Sequence, residues 1–89
     1  MDTSESSVFF VDDDQAVRDV VARILRGAGI NVFCFADPAR CLAKIHSQKC
    51  DLLITDLRMP GINGIELLKI VKRFRGATGR VHTALAAVV

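Results

Sequence analysis

Two short apolar runs, each followed directly by aspartate, constrain the fold of this chain most strongly. The first run, Val8–Val11, is followed by Asp12 and Asp13. The second run, Leu52–Thr55, is followed by Asp56. Apolar runs of this length without polar alternation are typical of strands that are buried on both faces of a parallel sheet. We therefore predict two central strands whose carboxyl ends carry acidic side chains.

Amphipathic segments separate and follow these strands. Residues 16–25, 39–45 and 65–74 each repeat apolar side chains at helical spacing, and residues 30–35 form a further strand-like run. The resulting order is strand then helix, three times over. Such alternation predicts an α/β fold, with a mainly parallel sheet, helices on both faces and right-handed crossovers.

The ends of the chain are less regular. Residues 1–7 are small and polar, and we expect them to form a disordered leader before one domain at residues 8–75. Residues 76–89 form an atypical tail. Its apolar end, residues 81–89, could be a fourth buried strand, although its alanines also allow a helix; the strand is slightly favoured.

Composition excludes several classes of function. The net charge is +2 over 89 residues, and the basic residues cluster late in the chain, as a solvated helix end would. We therefore expect no direct nucleic-acid binding, and no apolar run is long enough for a bilayer. The three cysteines are odd in number and lack a CxxC pair, which predicts buried thiols in a reducing cytoplasm.

The acidic strand ends suggest a chemistry. In open parallel sheets, ligands bind beyond the carboxyl ends of neighbouring strands. If the first and third strands are neighbours, Asp12, Asp13 and Asp56 converge there and repel one another unless a cation neutralises them. Oxygen ligands of this kind suit Mg²⁺, and a carboxylate beside Mg²⁺ is a plausible nucleophile toward phosphorus. Helix capping is the alternative, and we assign that role to Asp14; spacing alone leaves metal binding open.

A combination of motifs resembles one known family. The order is residues 8–14, then Arg18, then residues 51–68, which contain D-x-x-x-P-x-x-x-G at Asp56, Pro60 and Gly64. From residue 8 to 74 the chain is similar to the receiver domain of bacterial response regulators, the CheY-like phosphoacceptors of two-component systems. The resemblance implies a flavodoxin-like, doubly wound parallel sheet with strand order 2-1-3-4.

The resemblance also implies a role for each residue of the acidic cluster. Asp56 is expected to be the phosphoacceptor and a Mg²⁺ ligand. Asp13 is expected to bind Mg²⁺ directly, Asp12 through water, and Arg58 through its backbone carbonyl. A sensor histidine kinase is the expected phosphoryl donor, and the chain is expected to catalyse at most its own phosphorylation and dephosphorylation.

Two further residues of the motif are expected to shape the loop that follows the acceptor. Pro60 is one of them. Gly64 is the other, and it is expected to allow either a close backbone approach or an unusual φ angle.

The chain departs from the family pattern after its third helix. The family has a serine or threonine that ends the fourth strand and a lysine that ends the fifth. The hydroxyl position falls on or next to Ala86, Thr83 is too early, and the lysine position lies beyond Val89, so neither residue is found. We expect a receiver truncated after three to four strand–helix units. Its exposed sheet edge or tail is expected to form a homo-oligomer.

Two other functions stay open. The chain could be a non-phosphorylated interaction module, acting as a kinase decoy or an oligomerisation fragment. Asp12 and Asp14 also supply the D-x-D of phosphatases of the haloacid dehalogenase type, but Ala16 follows them and the chain is too short for that fold.

Overall fold

The computed structural model describes residues 7–78 and 85–88, with side chains described for residues 7–73. Within these ranges, four strands form a single sheet that is accompanied by three helices. The elements are β1 (Ser7–Val11), α1 (Gln15–Gly27), β2 (Asn31–Phe35), α2 (Pro38–Ile45), β3 (Leu52–Thr55), α3 (Gly64–Thr78) and β4 (Leu85–Val88).

The strand order is β2-β1-β3-β4, and every neighbouring pair is parallel. The predicted fold class and the predicted order 2-1-3-4 are therefore both confirmed. In the central pair, Val8 lies opposite Leu52 and Val11 lies opposite Thr55. Because this register brings the carboxyl ends of β1 and β3 level, the residues that follow both strands start from the same edge of the sheet.

The pleat of β1 divides the core into two layers, as expected for a strand buried on both faces. Phe9 and Val11 face one layer, which α2 and α3 cover. Val8 and Phe10 face the other layer, which α1 covers. The buried residues of the larger layer are Phe9, Val11, Cys41, Ile45, Cys50, Leu53, Met59, Leu67 and Val71.

The predicted helix cap at Asp14 is present. Asp14 precedes α1, and its carboxylate accepts hydrogen bonds from the backbone N–H groups of Ala16 at 2.9 Å and Val17 at 3.4 Å. Asp37 caps α2 in the same way, by accepting from the N–H of Arg40 at 2.9 Å. These bonds satisfy N–H groups that a helix leaves without a partner in its first turn.

Two elements extend past the expected domain boundaries. Ser7 belongs to β1 and not to the leader, because its N–H donates to Asp51 Oδ2 at 2.8 Å and its carbonyl accepts from the N–H of Asp51 at 2.9 Å. The third helix continues to Thr78, past the expected domain end at residue 75. The structure has a strand, not a helix, at Leu85–Val88. Residues 1–6, 79–84 and 89 lie outside the described part.

The cysteines pack as thiols. Cys41 and Cys50 are fully buried, whereas Cys34 is only half-buried, and none of the three forms a disulfide. Burial raises the pKa of the Cys41 thiol to about 12, and the nearby Cys50 contributes to the rise. Cys41 therefore stays a neutral, unreactive thiol at physiological pH. Among the helices described, none has the length and apolarity that crossing a membrane requires.

Candidate functional site

The candidate site lies where β1 and β3 end. The N–H of Asp56 donates to the carbonyl of Val11 at 2.9 Å, which extends the β1–β3 pairing by one residue. On the other side of β1, the N–H of Asp12 donates to the carbonyl of Phe35 at 3.1 Å. Backbone bonds thus place Asp12 and Asp56 side by side, without any help from their side chains.

Three carboxylates converge at this edge. One oxygen atom from each of Asp12, Asp13 and Asp56 lies within 4.8 Å of the other two. Asp12 and Asp56 are half-buried and Asp13 is exposed, so the cluster is open to solvent on one side. The structure therefore brings together the three acids that the sequence placed at strand ends.

Asp14 takes a different role from the three clustered acids. Its carboxylate caps α1, as described above, and is not one of the three that converge. Its backbone N–H donates to Asp12 Oδ1 at 2.8 Å, which orients the Asp12 carboxylate. The assignment of Asp14 to capping agrees with this geometry, and the N–H contact is a further contribution that side-chain patterns in the sequence do not reveal.

Backbone and hydroxyl groups also orient Asp56. The hydroxyl of Thr55, which is fully buried, donates to the carbonyl of Asp56 at 3.0 Å. The N–H of Arg58 approaches Asp56 Oδ1 at 3.5 Å. The side chain of Arg58 is exposed. The use of its carbonyl as a metal ligand stays a prediction.

Gly64 packs against the backbone of the expected acceptor. Its N–H donates to the carbonyl of Leu57 at 3.0 Å. A Cβ at this position would overlap the carbonyl oxygen of Asp56 and would lie 3.1 Å from Thr55 Cγ2. Of the two possibilities that the sequence left open, the close backbone approach is the one observed, since φ of Gly64 is not positive. Gly61 has the positive φ in this loop, at 82°.

Two residues of the loop have roles that the sequence analysis missed. Met59 is 9% exposed and packs into the larger core layer, so it anchors the loop, while Pro60 is exposed. Asn63 caps α3, because its Oδ1 accepts from the N–H of Glu66 at 2.9 Å. The signals were present: a large apolar residue within a turn-rich loop, and an asparagine three residues before a glutamate.

The donor set fits a small divalent cation. Three carboxylates this close repel one another unless a positive charge offsets them. Hard oxygen ligands that are partly open to water match the coordination preferred by Mg²⁺, which keeps several waters and uses one or two carboxylates. Asp12, Asp13 and Asp56 are the residues that could hold such an ion.

The fourth strand adds no hydroxyl group to the site. The described residues of β4 are Leu85, Ala86, Ala87 and Val88, and Val88 is the one that lies opposite Thr55 at the end of β3. Ala86 lies opposite Leu53, two residues earlier. Thr83 lies outside the described residues.

Comparison with known proteins identifies relatives of this arrangement. Residues 8–85 match the family described as response regulator receiver domain. The chain is 42% identical over 66 residues to the DNA-binding transcriptional regulator NtrC of Escherichia coli K12, a match that covers 74% of this chain and 14% of NtrC. The chain thus spans a small part of NtrC, and the activity of that whole protein does not transfer.

Solved structures share the fold. The chemotaxis response regulator CheY4 of Vibrio cholerae superposes with a TM-score of 0.74 at 31% identity, over 85% of this chain and 64% of CheY4. The receiver domain of Ssk1 from Saccharomyces cerevisiae, crystallised with the histidine phosphotransfer protein Ypd1, gives a TM-score of 0.75 at 22% identity, over 83% of this chain and 51% of that one. The second likeness concerns the fold alone.

The contact between Gly64 and Asp56 yields a prediction. Gly64→Ala forces either the start of α3 or the Asp56 carbonyl to move, and overpacking of this kind costs about 1–3 kcal/mol. Denaturant unfolding should show a loss of that size. Gly27→Ala is the matched control, since a Cβ there meets nothing within 4 Å and should leave stability unchanged or slightly raised. Equal effects of the two substitutions would contradict the proposed contact.

Proposed function

Because the chain belongs to the response regulator receiver domain family, the phosphoacceptor family of two-component signalling, we propose that Asp56 accepts a phosphoryl group from a histidine kinase or a phosphotransfer protein. The observation that carries this proposal is the convergence of Asp12, Asp13 and Asp56 within 4.8 Å at the carboxyl ends of two adjacent parallel strands. That edge is where ligands bind in open α/β sheets.

In the proposed reaction, a carboxylate oxygen of Asp56 attacks the phosphorus of a phosphohistidine. A P–O bond forms as the P–N bond breaks, and the donor imidazole leaves with the bonding electron pair. Two hydrogen bonds hold Asp56 in place: its N–H donates to the carbonyl of Val11, and its carbonyl accepts from the Thr55 hydroxyl. The Asp56 backbone therefore needs little further ordering when the phosphoryl donor arrives.

Mg²⁺ is the proposed cofactor. Asp13 and Asp56 would bind it directly, Asp12 through water, and Arg58 through its backbone carbonyl. When bound, the ion offsets the charge of the carboxylates and of the incoming phosphoryl group, which is most of what phosphoryl transfer requires of a protein. The chain's own chemistry would be limited to its phosphorylation and dephosphorylation, since the receiver fold is not that of a known enzyme family.

An exposed apolar stripe on α1 supports a protein partner. Val17, Val20 and Ile24 repeat at helical spacing and are 39%, 52% and 64% exposed. The stripe begins one turn after Asp14, and is therefore close in the chain to Asp12 and Asp13. A donor protein that docks on this stripe would bring its phosphohistidine to Asp56. The printed description of one structural neighbour, the complex of the Ssk1 receiver with Ypd1, concerns a partnership of the same class.

We predict that acetyl phosphate and Mg²⁺ phosphorylate the wild-type chain. Intact mass spectrometry should detect the addition of one phosphoryl group, which should disappear in Asp56→Asn and on chelation of the metal. Asp19→Asn is the matched control, because Asp19 is an exposed acid on α1 outside the cluster. Labelling that persists in Asp56→Asn would show that the acceptor is another residue.

The same experiment distinguishes the phosphoacceptor from the second candidate function, a non-phosphorylated interaction module. The α1 stripe alone would suffice for an interaction module that binds a kinase as a decoy. A chain that takes no label in the presence of Mg²⁺, yet still binds a histidine phosphotransfer protein through Val20 and Ile24, would favour that module over the acceptor.

We also propose that the chain forms a homo-oligomer through β4. Of the strands that the structure describes, β4 is at one end of the order, so its outer backbone groups are available to pair with a second copy. Light scattering after gel filtration should show a mass that rises with protein concentration. A monomer throughout the concentration range would contradict this proposal.

The cytoplasm is the proposed location. None of the three cysteines forms a disulfide, and two of them are fully buried, which fits a compartment that keeps thiols reduced.

A further inference from the structure

Arg18 makes two hydrogen bonds to the short loop that carries the acids. Its guanidinium Nη1 donates to the carbonyl of Asp12 at 2.8 Å. Its own backbone N–H donates to the carbonyl of Asp14 at 3.1 Å, as part of the first turn of α1. One residue of the helix therefore holds both ends of the segment from Asp12 to Asp14.

A third hydrogen bond joins two residues of the loop, Asp12 and Asp14, to each other. The N–H of Asp14 donates to Asp12 Oδ1 at 2.8 Å, so the orientation of the Asp12 carboxylate depends on where Asp14 sits. With its carbonyl tied to Arg18 and its carboxylate tied to Asp14, Asp12 has little freedom to rotate. Asp13 lies between these two fixed residues, so its backbone is constrained as well.

The atom of Asp12 to which Arg18 donates matters for metal binding. The bond uses a backbone oxygen of Asp12, so it does not compete with a cation for a carboxylate oxygen. The guanidinium of arginine also carries a positive charge. A half-buried guanidinium at the base of the loop offsets part of the repulsion among three clustered carboxylates.

We propose that Arg18 is a positioning residue for the acidic cluster, which holds Asp12 and Asp13 in the arrangement that accepts Mg²⁺. This inference rests on the proposed function. It gives a role to Arg18, which is not among the residues assigned above to metal binding or phosphoryl transfer. Arg18 touches neither the metal nor the phosphoryl group in this account. It acts through the backbone of the loop.

The test compares Arg18→Met, Arg18→Lys and Arg23→Met in the full chain. Arg23 is an exposed arginine on the same helix and serves as the matched control. Magnesium titration followed by amide shifts should show an affinity about tenfold weaker in Arg18→Met, the size of effect typical of residues that orient metal ligands. Arg18→Lys should recover part of the loss, because its ammonium can also donate to the Asp12 carbonyl. Arg23→Met should bind as the wild type does.

A second measurement requires no metal. Hydrogen exchange of the Asp14 amide reports on the bond to Asp12 Oδ1, and it should become faster in metal-free Arg18→Met. The amide of Ala22, in the packed middle of α1, should exchange at the wild-type rate. This contrast distinguishes a loosened loop from a destabilised protein, and Arg18→Lys keeps the comparison available if Arg18→Met does not fold.

Three results would overturn the inference. Wild-type magnesium affinity in Arg18→Met, together with unchanged exchange at Asp14, would show that Arg18 does not position the loop, while the proposed function would stand. Exchange that becomes equally faster at Asp14 and Ala22 would make Arg18 a general stabilising contact. A wild-type chain that shows no saturable response to magnesium would remove the proposed function itself, and this inference with it.

Discussion

The parallel pairing of β1 with β3 is the constraint on which the rest of the site depends. The register that sets Val11 opposite Thr55 makes the two strands end together, and the bond from the Asp56 N–H to the Val11 carbonyl continues that register beyond the strands. Packing in the two core layers supports this register, because a shift of one residue would exchange the layers that Phe9 and Phe10 enter. The hydrophobic core therefore sets the positions of the acids, although none of the acids belongs to it.

That arrangement places three negative charges close together, and their mutual repulsion is unfavourable. Specific polar contacts around the cluster counter the repulsion. On the β1 side, Arg18 and the Asp14 N–H hold Asp12. On the β3 side, the Thr55 hydroxyl binds the carbonyl of Asp56, against which Gly64 packs closely. The three carboxylates are thus brought together by contacts within the chain itself.

Local patterns in the sequence were sufficient to predict the strands, the cap at Asp14 and the identity of the clustered acids. They were insufficient where the deciding contact joins residues far apart in the chain. Ser7 looked like part of a polar leader, because its partner Asp51 lies 44 residues away. The domain was expected to end at residue 75, whereas α3 runs on to Thr78 through Gly76, a residue type that often ends a helix. For Gly64, the choice between a close approach and an unusual φ depended on where the Asp56 carbonyl would lie, which composition does not encode.

The central claim is that the acidic cluster is an assembled phosphoryl-acceptor site. Its most direct test is a titration with Mg²⁺ and beryllofluoride, a mimic of the phosphoryl group, that follows amide shifts in the wild type and in Asp56→Asn. The account predicts saturable shifts around Asp13, Asp56 and Arg58 in the wild type, and their loss in the variant. A wild-type spectrum that Mg²⁺ and beryllofluoride leave unchanged would contradict it.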